Sequence, residues 1–226
     1  MMKISLRAVA AAIAFAALCG SPAVAAETEV PAASTAPVPG GTYRLDKSHA
    51  SLIFRVSHIG FSNYTGRFAT FDATLDIDPE NPAAAKLEAS VDPASLAVEN
   101  PPEGFLESLL GPDWFDAAKF PEMTFRSTKI EMTGDDTARV TGDLMLHGVT
   151  LPVAFDATFN GGYAGHPFEP NARIGFSARG GLSRSAFGIA YGVPEEGSTM
   201  GVGDAVEFII EAEFTGPAWA DAPKAE

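Results

Sequence analysis

The chain has 226 residues, 46% of them hydrophobic and 10% aromatic, which excludes a wholly disordered polypeptide and suits one domain or at most two small ones. Its 15 Lys+Arg against 29 Asp+Glu give a formal charge of -14. A field of that sign argues against nucleic-acid binding, which needs a positive surface for the phosphates.

The first segment reads as an export signal. Lys3 and Arg7 give a positive start before an apolar run, Ala8 to Leu18, and Ala23-Val24-Ala25-Ala26 supplies the small residues of a cleavage site. The run is too short for a bilayer span of about 20 residues. Residues 1–26 are therefore expected to be removed, leaving the product in a bacterial periplasm. Cys19, the one cysteine of the chain, leaves with them, so the mature fold is expected to hold without a disulfide. Losing Lys3 and Arg7 and no acid shifts the formal charge from -14 to -16. Residues 27–41, rich in Pro, Ala, Ser and Thr, read as a flexible linker. Residues 42–215 read as one domain and 216–226 as a polar tail. With no second long apolar run, the product is expected to be soluble, without stable membrane insertion.

Within 42–215 the dominant signal has period two. Ala69, Phe71, Ala73, Leu75 and Ile77 alternate with polar residues, as do Ala85, Leu87, Ala89 and Val91. The same holds for Val153, Phe155, Ala157 and Phe159, and for Val206, Phe208, Ile210, Ala212 and Phe214. Strands place successive side chains on opposite faces, so each segment has one dry face and one wet face. Weaker alternation runs through 43–46, 50–59, 122–132, 138–146 and 172–178. Turn-forming residues separate the segments, as at Thr133-Gly134-Asp135-Asp136 and Asn160-Gly161-Gly162. About eight such strands predict an all-β protein, either an antiparallel sheet closed into a barrel or a sandwich. A short helical insertion is predicted where Phe105, Leu106, Leu109 and Leu110 form one apolar stripe.

The inward parity mixes large and small residues. Phe54, Phe71, Phe155, Phe159, Phe176 and Phe208 share it with Ala73, Ala85, Ala89, Ala138, Gly142, Ala157, Ala178 and Ala212. A barrel of about eight strands is either just filled by its side chains or holds one small ligand. Small inward residues leave volume for an apolar tunnel, or they fit the taper of a packed core. His58 continues the dry parity of Leu52, Phe54 and Val56. It is either a donor to a ligand head group near the strand end or a hydrogen-bonded structural histidine.

Catalytic signals are sparse. The mature chain lacks a cysteine nucleophile, a G-x-S-x-G elbow and a phosphate-binding loop. His49, His58, His147 and His166 are widely spaced, with no metal-binding repeat. Arg184, beside Phe187-Gly188, reads as a surface or fold-anchoring charge.

The chain resembles the YceI-like polyisoprenoid-binding proteins. The resemblance begins at Tyr43-x-Leu45-Asp46-x-x-His49 and continues through Phe54-x-Val56-x-His58-x-Gly60 and Gly66-x-Phe68. It includes Asp113-Trp114-Phe115-Asp116-Ala117-x-Lys119-Phe120-Pro121, then Gly142-x-Leu144-x-x-His147-Gly148-Val149-Thr150, and ends with Arg184-x-x-Phe187-Gly188 and Val202-Gly203-Asp204. It differs where Leu151 replaces a common Lys and Ser183 a common Asp. The resemblance implies a closed, antiparallel, lipocalin-like barrel that binds and carries a polyisoprenoid, an isoprenoid quinone or a similar long-chain amphiphile. It implies no general catalytic set and admits a homodimer; with the histidines so spaced, no metal is expected, and no catalytic cofactor. The ligand-binding residues expected are Phe54, Val56, His58, Phe71, Leu75, Val140, Leu144, Phe155, Phe176 and Phe208, with Phe105 and Leu109 of the helical stripe, which is either a lid over the mouth or a cap on the core. The alternatives are an enzyme acting on an amphiphile in the same cavity, or a stress-related or adhesive module with a filled core.

Overall fold

The computed structural model describes residues 38–165 and 169–218. The export segment, most of the linker, His166 and most of the tail lie outside that range. Ten strands and one short α-helix follow in chain order: β1 (Gly41–His58), β2 (Ser62–Phe68), β3 (Phe71–Ile77), β4 (Lys86–Val91), β5 (Leu96–Val98), α1 (Phe105–Leu110), β6 (Met123–Met132), β7 (Thr137–Leu146), β8 (Val149–Tyr163), β9 (Asn171–Ser183) and β10 (Val202–Ala218).

All the strand pairings are antiparallel, and the sheet closes where β1 meets β10. Ten strands make eight staves because two staves are broken. β2 and β3 pair with different halves of β1, Leu52–His58 and Gly41–Arg44. β4 and β5 in turn pair with β3 and β2. The second break falls at Asp92-Pro93, where proline has no N–H for a ladder. Asp92 accepts from the Ala94 N–H at 2.8 Å, and the Ser95 hydroxyl accepts from the Thr70 N–H at 2.9 Å, so the two breaks brace each other as one corner. The period-two pattern foresaw eight staves but not this corner. It carried the third strand back to Ala69, where the chain is turning, and did not register β2 or β5.

Closure removes the open edges of the sheet. It also sends every inward side chain toward one axis. Inward residues form three apolar clusters. One at the α1 end contains Phe68, Leu96, Leu109, Met123, Leu146 and Val153. One at the other end contains Tyr43, Leu45, Leu75, Ile174 and Phe214. Val140, Phe155 and Ala178 form the third. β1 begins one residue before the expected domain and β10 continues three residues past it, to Ala218.

Candidate functional site

The barrel axis holds a cavity of about 1170 Å³. That exceeds the roughly 300–1,000 Å³ of pockets for compact ligands. Its wall is almost wholly apolar. The polar residues that line it lie near its ends: His58 and Arg184 toward α1, and Asp135, Asp136, Thr137 and Asn160 at the opposite end, with Thr124 at the start of β6.

Two features of the sequence create this space. First, the aromatic rings tile the wall. Phe125–Phe155 and Phe155–Phe208 have centroids 5.4 and 6.0 Å apart and join staves two apart, while Phe159–Phe176 joins neighbours at 5.5 Å. In an eight-stave ring the opposite wall is four staves away, so these contacts run around the barrel. Glycine between the staves permits it. A Cβ on Gly180, between Phe155 and Phe208 in the ladder, would lie 2.4 Å from Cζ of Phe208 and 2.7 Å from Cβ of Phe155. Gly142 plays the same part under Phe125, with Cζ at 2.4 Å. The sequence reading counted Gly142 as a source of cavity volume. A ring occupies that volume instead, and Gly142 does not line the cavity. Second, alanines line opposite walls. Ala73 pairs with Ala89 across β3–β4, and Ala157 pairs with Ala138 and Ala178 across β7–β9. β3 and β8 stand four staves apart, as do β4 and β9. All these alanines reach the cavity.

The structure places every expected ligand-binding residue on this one wall. Val56, Leu75, Val140 and Phe155 are buried. Phe54, Phe71, Leu144, Phe176 and Phe208 are half-buried. His58 is exposed at the α1 end, which removes the reading of a buried structural histidine. Phe105 and Leu109 of α1 also line the cavity. Leu109 is buried in the apolar cluster at that end, so α1 is packed as part of the end wall. Phe105 meets Tyr64 edge-on, with centroids 5.8 Å apart.

Arg184 is 4% exposed, which corrects the surface alternative and leaves the fold-anchoring one. Its Nε donates to the Gly203 carbonyl at 2.9 Å, Nη1 to Ile189 and Tyr191 at 2.8 and 2.9 Å, and Nη2 to Val202 at 2.7 Å. Its guanidinium lies 5.0 Å from the Trp114 ring centroid. Burial pulls its pKa down, while the charge of Asp204 acts in the opposite direction. Asp204 accepts from the Ser185 N–H at 2.8 Å and from the Ser183 hydroxyl. Ser183 thus reaches Asp204 by a hydrogen bond across the start of the 184–191 segment. Arg184 ties the 184–191 segment to the start of β10 at the cavity end. A charge among apolar neighbours signalled this role, but four backbone acceptors from separate segments leave no sequence pattern.

The described histidines occupy separate neighbourhoods. His58 lies at the mouth, and His147 Nδ1 is 3.2 Å from the Phe187 carbonyl. His49 Nδ1 is 2.9 Å from Asp46. Among the described residues, Asp46, His49 and Glu213 form one group with metal-ligating atoms within 4.8 Å. Arg173 Nη1 already donates to Asp46 at 2.7 Å and to Glu213 at 2.6 Å, and Arg173 also pairs with Glu169. This group is an ion-pair network around a guanidinium.

The profile of the YceI-like domain matches residues 43–214. A UPF0312 protein of Pseudomonas putida is 39% identical over 149 residues, covering 65% of this chain and 76% of that protein. The solved YceI protein of Campylobacter jejuni is 31% identical, with a TM-score of 0.60 over 71% of this chain and 90% of the other. Burkholderia cenocepacia BcnA is 25% identical, with a TM-score of 0.64 over 75% of this chain and 98% of its own. A polyisoprenoid binding domain from Saccharophagus degradans shares the fold at 14% identity, with a TM-score of 0.57 over 77% of this chain and 98% of that domain.

Proposed function

The chain belongs to the YceI-like family, and from that membership and its axial cavity we propose that it binds and carries a polyisoprenoid, an isoprenoid quinone or a similar long-chain amphiphile, acting in the periplasm after export. The observation that carries this reading is a continuous apolar cavity of about 1170 Å³ with its polar side chains near the ends. Burying a hydrocarbon tail there releases about 0.8 kcal/mol per CH₂ from water, before the losses of ordering the tail. A carrier is needed because such a tail does not cross water unaided. The head group belongs at the α1 end, where His58 offers a ring nitrogen at the mouth and Arg184 contributes positive potential. Asp135 and Asp136 at the opposite end would repel an anionic head.

A void of this size argues against a filled-core module. Mass spectrometry of organic extracts from gently purified protein is expected to show a long-chain isoprenoid in stoichiometric amount. Ala157→Phe puts a ring into the space between opposite walls and is expected to weaken binding of a solubilised isoprenoid quinone by about tenfold or more, with the β-rich circular dichroism spectrum retained. Protein that carries no lipid and does not bind the quinone would overturn the proposal. Chemical turnover of the quinone would assign the cavity to an enzyme.

A further inference from the structure

We propose that the α1 end of the barrel docks on the surface of an electrically neutral bilayer, through an apolar rim formed by Phe61, Tyr191 and Met200. The proposal rests on the carrier reading of the cavity and adds where the cargo enters.

Three of the most exposed large apolar side chains stand on neighbouring loops at one end of the barrel, which marks that end as an interaction surface. Phe61 is 85% exposed, Met200 74% and Tyr191 59%. They belong to two loops that touch. The Ile59 N–H donates to the Gly201 carbonyl at 2.8 Å, and the Val202 N–H donates to the Gly192 carbonyl at 2.8 Å. Tyr191 meets Trp114 edge-on, with centroids 5.6 Å apart. Trp114, His58 and Val202, which neighbour the rim in sequence or in space, line the cavity, whereas the three rim residues do not. The rim thus borders the end of the cavity lined by His58, Trp114 and Val202, and its side chains stand in solvent.

Three observations select the occupant. The mouth opens into an apolar cavity, so contact with a hydrocarbon layer would give a tail a continuous dry path. The rim consists of separated side chains on loop tips, which suits shallow insertion at a headgroup boundary. Its surroundings are acidic: Glu99, Glu103, Glu107, Glu195 and Glu196 are exposed toward this end, against the exposed cations Lys119 and Arg55, the latter 4.0 Å from Glu207. Those acids repel anionic lipid and favour a zwitterionic surface.

Flotation of purified protein with phosphatidylcholine vesicles tests the proposal. Wild-type protein is expected to float with the vesicles. The double variant Phe61→Ser, Met200→Ser is expected to lose about tenfold or more of that partition, with its melting temperature and quinone affinity unchanged. Adding phosphatidylglycerol is expected to lower binding at low salt, with recovery as salt rises. Wild-type protein that stays in solution, or a double variant that floats equally well, would overturn the proposal. So would a dimer in sedimentation velocity that the double variant abolishes, since the rim would then belong to a second copy. Vesicle binding without quinone binding would remove the cargo reading and leave the docking surface standing.

Discussion

Arg184 donates four hydrogen bonds to carbonyls on two chain segments, and Trp114 covers its guanidinium. Removing the side chain would leave buried acceptors short of donors at about 1–3 kcal/mol each where water does not replace them. Arg184→Ala is therefore expected to lower stability by about 3 kcal/mol or more in urea unfolding. Arg184→Lys is expected to recover little, because one ammonium cannot reproduce a planar fork aimed at four oxygens. Ala186→Ser, on the exposed side of the same turn, provides a control expected to change stability by less than about 0.5 kcal/mol. A small loss in Arg184→Ala would mean that water replaces the guanidinium, and that the mouth is wetter than its apolar lining implies.

Between elements, Arg173 of β9 is the point where β1, β10 and the segment before β9 meet, through Asp46, Glu213 and Glu169. Hydrogen bonds from Ser48, His49 and Arg173 hold the Asp46 carboxyl well below the usual carboxylate range. Hydrogen bonds from Arg173 and Tyr163 lower that of Glu169. Depressed carboxyl pKa values add stability above the unfolded-state values of about 4 and remove it as pH falls through the folded-state values. Melting temperature is therefore expected to fall as pH drops from about 5 toward 2, with a shallower slope in Arg173→Met. Equal slopes would show that other carboxylates govern acid unfolding. The same elements show what period two reveals and what it hides. β10 keeps Val206 to Phe214 inward without interruption and was read directly. β6 has a register shift between Ser127 and Lys129, so Met123 and Phe125 face inward on odd numbers but Ile130 and Met132 on even ones. β1 shifts between Leu45 and Ala50 in the same way. The β6 irregularity adds one residue and the β1 irregularity three; either odd number flips the parity, which is why both strands looked weak. β5 was missed because it has three residues, and β2 because Gly66 interrupts the inward face between Tyr64 and Phe68.

For the whole molecule, the wall of the cavity was legible because inward parity is local, and all twelve residues expected to bind ligand lie on it. Its ends were not. His58, Trp114 and Arg184 come to line one end of the cavity only after segments far apart in sequence fold together. The void itself depends on rings lying around the wall, a property of glycines placed one stave away. Closure is equally nonlocal. The seam pairs β1 with β10 from Arg44↔Thr215 to His58↔Val202. A chain ending at Gly201 is expected to show no cooperative thermal transition, because both β1 and β9 would lose a partner along most of their length. A cooperative melt in that truncation would show that seven staves suffice.

That seam also sets a timetable. A polypeptide delivered from its N-terminus has most of its staves before it has the last one, so its greasy inner face stays uncovered until the final strand arrives. Contacts between such distant segments form slowly, and exposed sheet edges invite misassociation in the meantime. The protein therefore has its greatest need of a chaperone, or of early cargo shielding the half-built wall, just before β10 zips home.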